Sequence, residues 1–356
     1  MRPDLLVVGD GASIHVRRLA EALHADGMTV ELASFAAAPM PGIPTHRLGS
    51  RPADQDRRYL LALPRLAHIL RRRRPAVVNA HYLTSYGVMS ALALRLARIG
   101  APLIQTTWGD DLLVTPRHSK MHRTLARFAL ADAAAATGDS LDLEAAAKSL
   151  VPDLRWLRFV FGPAASLLGA PVAHESVILS ARQLIPEMRV DQIIRAFQLA
   201  AGTSLADWKL VVAGKGPERP ALEALAKGNG QIEFAGELSQ PKLHDLMLHA
   251  SVGVSIPESD ATSATLLESL AAGMVPIVSD LPANREWVDE AVGEIVSLSP
   301  SVEELAAAMR RAAMRQVPVD LLRSRVADAT FETQVDRFSG LVRAIAQAPG
   351  RESQSS

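Results

Sequence analysis

The stretch SIPESDATSATLLESLAAGMVPIVSDLP, residues 255–282, predicts a strand, a polar loop, a helix and a second strand in succession. Val252–Pro257 is a short apolar run that predicts the first strand. Thr265–Ala272 consists mainly of strong helix formers and ends at Gly273, after which Pro276–Val278 restarts a buried strand. In such a βα unit the helix begins at the carboxyl edge of the sheet, so the polar loop is expected to lie at that edge.

The start of this helix is expected to bind an anion. Its first N–H groups are unpaired and its dipole is positive, so Ser263, Ala264 and Thr265 form a cradle for negative charge. Glu268 lies about one turn inside the helix, and Asp260 lies in the preceding loop. This layout suits a sugar nucleotide. The cradle would hold the diphosphate, Glu268 would accept from both ribose hydroxyls, and Asp260 would face the sugar being moved. Acids near an exposed helix start are also favoured by the helix dipole alone.

The stretch closely resembles the donor-site signature of retaining glycosyltransferases of the GT-B fold, family 4 in particular. Their pattern is Glu-x7-Glu, followed by a small-residue helix, a glycine and a Pro-Val-Val strand. Glu268 matches the second acid, while Asp260 stands in place of the first glutamate. The resemblance implies an α/β protein of two facing Rossmann-like domains with an interdomain cleft, and it adds Leu266 to the donor-binding residues. It also implies transfer of a hexose from a nucleotide donor, with retention and without metal.

Composition fits a soluble enzyme of two domains. The chain has 356 residues, of which 48% are hydrophobic and 21% charged, enough for two full cores. Only 4% are aromatic and the formal net charge is zero, which disfavours a nucleic-acid partner. The chain has no cysteine, so disulfides, thiolate metal sites and cysteine nucleophiles are excluded. The N-terminus enters a strand at once instead of forming a signal peptide, and no apolar run could span a bilayer, so we expect a cytoplasmic protein.

The first strand, loop and helix predict a second ligand-facing segment. Leu5–Val8 is a buried strand, and Gly9 and Gly11 in the following loop would let a backbone approach a ligand closely. A dinucleotide fingerprint would need a glycine where Ile14 stands, so a nicotinamide enzyme is disfavoured. The segment resembles the first strand–loop–helix of the family, which implies donor binding at Gly11. His15 opens the helix and is a candidate for acceptor binding, although it could equally be an exposed residue.

Two further strands are expected to deliver polar side chains to the same edge. Val77–His81 and Leu103–Thr107 predict strands that end at His81 and just before Trp108. These segments resemble the family's "HaHy" and "WG-x-D" elements, which implies catalytic and acceptor-binding roles for His81 and Asp111. Trp108 occupies a position often held by a histidine and is a candidate acceptor contact, with burial in the core as the alternative.

The second half is expected to supply cations for the diphosphate. Arg182 matches an arginine that the family places soon after the first strand of this half. The family's lysine falls near Met188, so Arg189 is a candidate substitute. Lys215 lies in a turn after the strand Leu210–Ala213 and could reach the same phosphates. Arg182 and Lys215 would then stabilise the negative charge that develops on the leaving diphosphate. Asp260 is a further candidate for a catalytic residue.

The predicted domain organisation has five parts. Residues 1–162 form an N-terminal acceptor-side domain of six strands, and residues 163–173 a linker. Residues 174–330 form the domain that binds the nucleotide sugar. Residues 331–348 form a helix that crosses back to the first domain, and residues 349–356 a disordered tail.

No metal or cofactor is expected. The Asp-x-Asp pair Asp54 and Asp56 lies in a solvated Pro/Gly-rich loop instead of ending an apolar strand. The expected partners are a nucleotide-sugar donor, which in this family is commonly a uridine diphosphate sugar, and a small-molecule, glycan or lipid-linked acceptor. Arg71–Arg74 either complete the C-terminus of a helix over Arg57–Leu70 or contact an anionic membrane surface or a phosphorylated acceptor.

Two other classes of function fit the same sequence. One is a sugar-nucleotide epimerase, or a phosphorylase, on the same fold. The other is a catalytically idle protein that binds a sugar nucleotide, suggested by the departures from the family pattern at Asp260, Trp108 and Met188. Release of nucleotide that depends on an acceptor would distinguish the transferase from both.

Overall fold

The structure is a computed structural model that describes residues 2–36, 39–49, 57–114 and 119–348. Asp54, Asp56 and the tail after residue 348 lie outside the described residues. The chain divides into two compact units, the first formed by Met1–Phe159 with Gln334–Ser356 and the second by Val160–Thr333. Among the helices described, none combines the length and the apolar character that crossing a bilayer requires.

The first unit contains a seven-stranded sheet in the order β3-β2-β1-β4-β5-β6-β7, and its paired strands are all parallel. Its strands are β1 (Leu5–Val8), β2 (Val30–Ser34), β3 (Thr45–Arg47), β4 (Val77–His81), β5 (Leu103–Thr106), β6 (Ala135–Gly138) and β7 (Trp156–Arg158). The sheet order reverses between β1 and β4, and loops at such a reversal form the usual ligand-binding crevice of parallel sheets.

Helices and short helical turns connect these strands. The α-helices are α1 (Ile14–Ala25), α2 (Arg57–Leu61), α3 (Leu63–Arg73), α4 (Val88–Ala97), α5 (Lys120–Ala131) and α6 (Leu141–Leu150), and π-helical turns cover Leu83–Gly87 and Asp110–Val114. The apolar faces of α3 and α4 pack with β1 and β4 in one buried cluster. This packing fixes the ends of β1 and β4 against each other.

The prediction of six strands in the first domain is wrong, because β3 is a seventh. It contains only the three residues Thr45–Arg47, none of them strongly apolar, inside a Pro/Gly-rich segment. The single helix predicted over Arg57–Leu70 is also two helices. They are interrupted at Ala62, and Pro64 occupies the first turn of the second, where a proline's missing N–H costs nothing.

The second unit contains a six-stranded sheet in the order β10-β9-β8-β11-β12-β13, again with its paired strands parallel. Its strands are β8 (Glu175–Ala181), β9 (Lys209–Ala213), β10 (Ile232–Gly236), β11 (Ala250–Ser255), β12 (Val275–Ser279) and β13 (Glu294–Val296). Alternate residues of β8 and β9 enter two buried apolar clusters, one on each face of the sheet. The strand order reverses between β8 and β11.

The helices of the second unit cover both faces of that sheet. They are α7 (Ala165–Leu168), α8 (Val190–Ala201), α9 (Arg219–Ala226), α10 (Gln240–His249), α11 (Ala264–Ala271), α12 (Pro282–Arg285), α13 (Val302–Met314) and α14 (Val319–Ser324), with 3₁₀ turns at Pro186–Met188 and Ala327–Ala329. A last helix, α15 (Phe331–Gln347), begins in the second unit and continues in the first.

Helix α11, predicted from the opening stretch, has well-defined ends. The N-cap residue Ser263 accepts a hydrogen bond from the N–H of Leu266 at 3.4 Å. At the other end Gly273 has φ +80°, and the N–H of Met274 donates to the carbonyl of Ser269 at 2.9 Å. This is the left-handed glycine termination that returns the chain directly into β12.

Candidate functional site

Three side chains meet where β8 and β11 end, at the reversal of the second sheet. The Nη2 of Arg182, which follows β8, donates to Oδ2 of Asp260 at 2.7 Å, and its Nη1 donates to the hydroxyl of Ser263. The Arg182 side chain is 13% exposed, so the guanidinium is held against the start of α11 instead of extending into solvent. The structure therefore brings together three of the residues predicted for the donor site.

The first turn of α11 presents backbone N–H groups beside this guanidinium. The N–H of Leu266 is occupied by the Ser263 hydroxyl. Within the part of the chain that the structure describes, the N–H groups of Ala264 and Thr265 have no acceptor. Two backbone donors and one cation thus lie together at the positive end of a helix dipole, an arrangement that binds phosphate groups.

Glu268 lies one turn further along α11 and is buried, at 4% exposure. Its Oε1 accepts a hydrogen bond from Nε2 of Gln240 at 2.6 Å, and Nε2 of His244 lies 3.4 Å from the same oxygen. Gln240 and His244 belong to α10, and the sequence analysis missed both. On the sequence they look like surface residues of an ordinary helix, and no local pattern connects them with Glu268.

The Lys215 side chain is directed to Glu237, with 2.7 Å between Nζ and Oε1, and it is 71% exposed. Its carbonyl accepts from the N–H of Leu184 at 2.9 Å, so the turn around it packs on the segment that follows β8. The role of Lys215 on a phosphate stays a prediction.

Arg189, the other candidate cation, is held elsewhere by its own partners. Its Nη2 donates to Oε1 of Glu258 at 2.8 Å, and its Nη1 donates to the carbonyl of Leu298. Met188 contacts Arg182 directly, since the distance between the Met188 sulfur and Nε of Arg182 is 3.3 Å. The Met188 thioether therefore holds the Arg182 side chain at the position where the resemblance would place a lysine.

In the first unit, four rings gather at the carboxyl ends of β4 and β5. The Trp108 ring lies 5.2 Å from His15, 5.7 Å from His81 and 5.6 Å from Tyr82, measured between centroids. Tyr82 has φ +65°, which is unusual for a bulky residue, and the sequence analysis did not single it out. Three of the four residues predicted for acceptor binding thus lie together, with the rings of His15 and His81 both against that of Trp108.

His81 is fully buried in this cluster. Among the described residues, neither of its ring nitrogens has a hydrogen-bond partner. Burial, and secondarily the nearby His15, lowers the pKa of His81 to about 3. The imidazole is therefore neutral at physiological pH and is poorly suited to act as a general base.

Asp111 and Gly11 contact the protein's own backbone and side chains. The carboxylate of Asp111 accepts from the N–H of Leu83 at 2.7 Å and from the N–H of Trp108 at 2.9 Å. The N–H of Gly11 donates to the hydroxyl of Ser34 at 2.8 Å, and a Cβ at residue 11 would lie 3.0 Å from a methyl group of Leu32. Asp111 thus joins two loops of the site, and Gly11 permits a close packing. Their contacts with a ligand stay predictions.

No group of three or more histidine, aspartate or glutamate side chains is arranged to hold a metal ion in residues 2–36, 39–49, 57–114 and 119–348. Asp54 and Asp56, which the sequence analysis does not expect to bind a metal ion, lie outside these ranges.

Two family models match the chain. Residues 170–326 match the model of glycosyl transferases group 1, and residues 4–140 match the model described as glycosyl transferase 4-like. A search of the curated proteins finds no match.

Solved structures match over almost the whole length. Sucrose-phosphate synthase from Thermosynechococcus elongatus has a TM-score of 0.76 and 17% identity, over 98% of this chain and 100% of that chain. The UDP-forming α,α-trehalose-phosphate synthase from Burkholderia vietnamiensis has a TM-score of 0.72 and 14% identity, over 98% and 100%. HepE from Anabaena, solved with UDP, has a TM-score of 0.66 and 15% identity, over 98% of both chains.

These comparisons define the class of the protein. The structural likenesses establish the two-domain GT-B fold, and the two family models identify the chain as a glycosyltransferase that resembles family 4. A protein of this class transfers a glycosyl group.

Proposed function

We propose that the protein transfers a hexose or N-acetylhexosamine from a uridine diphosphate sugar to a small-molecule, glycan or lipid-linked acceptor, with retention and without metal. The observation that carries this proposal is the Arg182–Asp260–Ser263 cluster at the start of α11, with buried Glu268 one turn further on. Uridine as the base is supported by HepE, solved with UDP and with UDP-glucose, and by the UDP-forming trehalose-phosphate synthase.

The diphosphate would lie against the N–H groups of Ala264 and Thr265 and the guanidinium of Arg182. That guanidinium has five N–H donors, and contacts with Asp260, Ser263 and Met188 engage three of them. Two N–H groups of Arg182 are then left for phosphate oxygens, so the arginine can bind the sugar nucleotide without releasing Asp260. Pairing with Arg182 also keeps the carboxylate of Asp260 at the site, where it would accept from hydroxyls of the transferred sugar.

Charge develops on the diphosphate as the glycosidic bond breaks, and groups that bind this charge lower the barrier. Arg182 and the start of α11 would supply most of this stabilisation, with Lys215 joining if it leaves Glu237. The acceptor oxygen would attack the face from which the diphosphate departs, and a phosphate oxygen would take its proton. We assign acceptor binding to His15, His81, Trp108 and Asp111 of the first unit. With a pKa of about 3, His81 would act there as a neutral hydrogen-bonding group.

A panel of sugar nucleotides tests this proposal. We expect UDP-glucose, UDP-galactose or UDP-N-acetylglucosamine to raise the melting temperature in the presence of EDTA, with GDP-mannose and ADP-glucose giving smaller shifts. Slow hydrolysis of the bound UDP-α-sugar, followed by proton NMR, should release the α anomer first if the reaction is retaining. Formation of an epimerised donor would indicate the epimerase instead. Binding without any transfer to acceptors or water would indicate the idle partner, and dependence on added Mn²⁺ or Mg²⁺ would contradict the metal-free mechanism.

A further inference from the structure

We propose that Gln240 and His244 are positioning residues for the ribose of the donor. Gln240, itself in contact with His244, bonds one oxygen of the Glu268 carboxylate so that the other can accept from a ribose hydroxyl. This inference rests on the proposed function, because it assigns the nucleoside end of the same site.

The two oxygens of Glu268 have different surroundings. Oε1 lies 2.6 Å from Nε2 of Gln240 and 3.4 Å from Nε2 of His244. Among the described residues, Oε2 has no hydrogen-bond partner. Because the side chain is 6% exposed and Oε1 is already bonded, the second oxygen is suited to a hydroxyl that arrives with the ligand.

Gln240 is the link in this network. Its Nε2 lies 2.8 Å from Nε2 of His244 as well as 2.6 Å from Glu268. A primary amide has two N–H groups, and both a carboxylate and an unprotonated ring nitrogen accept, so one amide can bridge the two. Nε2 of His244 then accepts from the amide of Gln240, and the same amide bonds Oε1 of Glu268. The rotamer of Glu268 is thereby fixed from a second helix before any ligand binds.

The position of this network indicates the ribose. Glu268 lies one turn from the N–H groups proposed to hold the diphosphate, and Gln240 begins the helix that follows β10. Ribose lies between the base and the diphosphate in every nucleotide donor. With Oε1 bonded to Gln240, we assign the ribose diol to Oε2 of Glu268.

Calorimetry with UDP and with 2′,3′-dideoxy-UDP tests this assignment, because the second probe lacks both ribose hydroxyls. The wild type should bind UDP more tightly than the dideoxy analogue. Gln240→Ala should weaken UDP binding about 10-fold, by loosening the carboxylate that the hydroxyl needs, and should leave the dideoxy analogue unchanged. His249→Ala is a matched control, because His249 lies on the same helix and bonds the carbonyl of Asp245 at 2.7 Å.

The possible results separate this inference from the proposal on which it rests. Equal losses for both probes would place Gln240 at the base or the phosphates, or show a distorted helix. UDP binding that is unchanged or tighter in Gln240→Ala would mean that the glutamine only occupies the site of the ligand. Each of these results overturns the inference and leaves the donor proposal standing. A wild type that binds no uridine, adenosine, guanosine or cytidine diphosphate would overturn both.

Discussion

Arg71 and Arg73 lie two positions apart in one basic run, yet they stabilise different contacts of the first unit. Arg71 donates to carbonyls at the end of α4, including that of Ala97 at 3.3 Å. Arg73 is bonded to buried Glu31, with 2.9 Å between Nε and Oε2. The remaining members, Arg72 and Arg74, are exposed. A contact of this basic run with an anionic membrane or a phosphorylated acceptor stays a prediction.

Replacing Arg73 with Ala should lower the free energy of unfolding by roughly 1–2 kcal/mol, because buried Glu31 then loses its arginine and, among the described side chains, keeps the hydrogen bond from His46 alone. Burial raises the pKa of Glu31, but hydrogen bonds from Arg73 and His46 outweigh burial and hold this pKa below the ordinary 4.5. A carboxyl group whose pKa is lowered in the folded protein stabilises the fold at pH values above its ordinary pKa. The difference in the free energy of unfolding between mutant and wild type should therefore shrink as the pH falls below 4.5. Denaturant unfolding measures both effects.

Arg72→Ala is the matched control for this experiment, since it removes the same side chain from an exposed position of the same helix. We expect a change within about 0.5 kcal/mol. Equal effects of the two substitutions would show that the pair with Glu31 contributes nothing to stability.

Individual residues also show how far the sequence could predict the site. Position at a strand end singled out His81 and Asp111, and the helix-start pattern singled out Ser263, and the roles of all three toward a ligand stay predictions. The pattern could not tell that Asp111 accepts from two backbone N–H groups of neighbouring loops, because those loops meet only in the folded chain. Gln240 was missed for the same reason, since its partner Glu268 lies on another helix.

At the scale of elements, the apolar run predicted the bounds of β4 correctly, as Val77–His81. The three-residue strand β3 has no alternation of its own and depends on pairing with β2, so it could not be predicted locally. Lys215 was singled out as a charge, but its flanking glycines are closely packed. A Cβ at Gly216 would lie 2.1 Å from the carbonyl oxygen of Leu184, in the segment that positions Arg182.

Gly216→Ala should therefore displace the loop that follows β8 and lower activity or donor affinity at least about 10-fold, with a loss of stability of roughly 1–3 kcal/mol. Gly230→Ala is the control, because nothing lies within 4 Å of a Cβ built there. The melting temperatures of the two variants and their dissociation constants for UDP check this prediction. Near wild-type behaviour of Gly216→Ala would mean that the turn relaxes without moving Arg182.

At the scale of the whole molecule, both units repeat one design. Each has a parallel sheet whose strand order reverses once, between β1 and β4 in the first and between β8 and β11 in the second. In each, the polar side chains singled out from the sequence follow the strands at that reversal or next to it. The GT-B architecture was predicted from the resemblance that residues 255–282 carry, and the likeness to solved structures confirms it. The identity of the acceptor could not be predicted, because acceptor specificity depends on loops whose sequence carries no regular pattern.

The central claim is that α11 and Arg182 bind a nucleoside diphosphate without a metal ion. Titration of UDP into the wild type in EDTA, followed by calorimetry, tests it most directly, with Arg182→Ala as the test variant. Arg189→Ala serves as the control, because it removes an arginine that is held by Glu258 instead. We predict one site in the wild type, a loss of about 10–100-fold in Arg182→Ala and no more than a small change in Arg189→Ala. Absence of binding without added metal, or equal affinity of Arg182→Ala and wild type, would contradict the account.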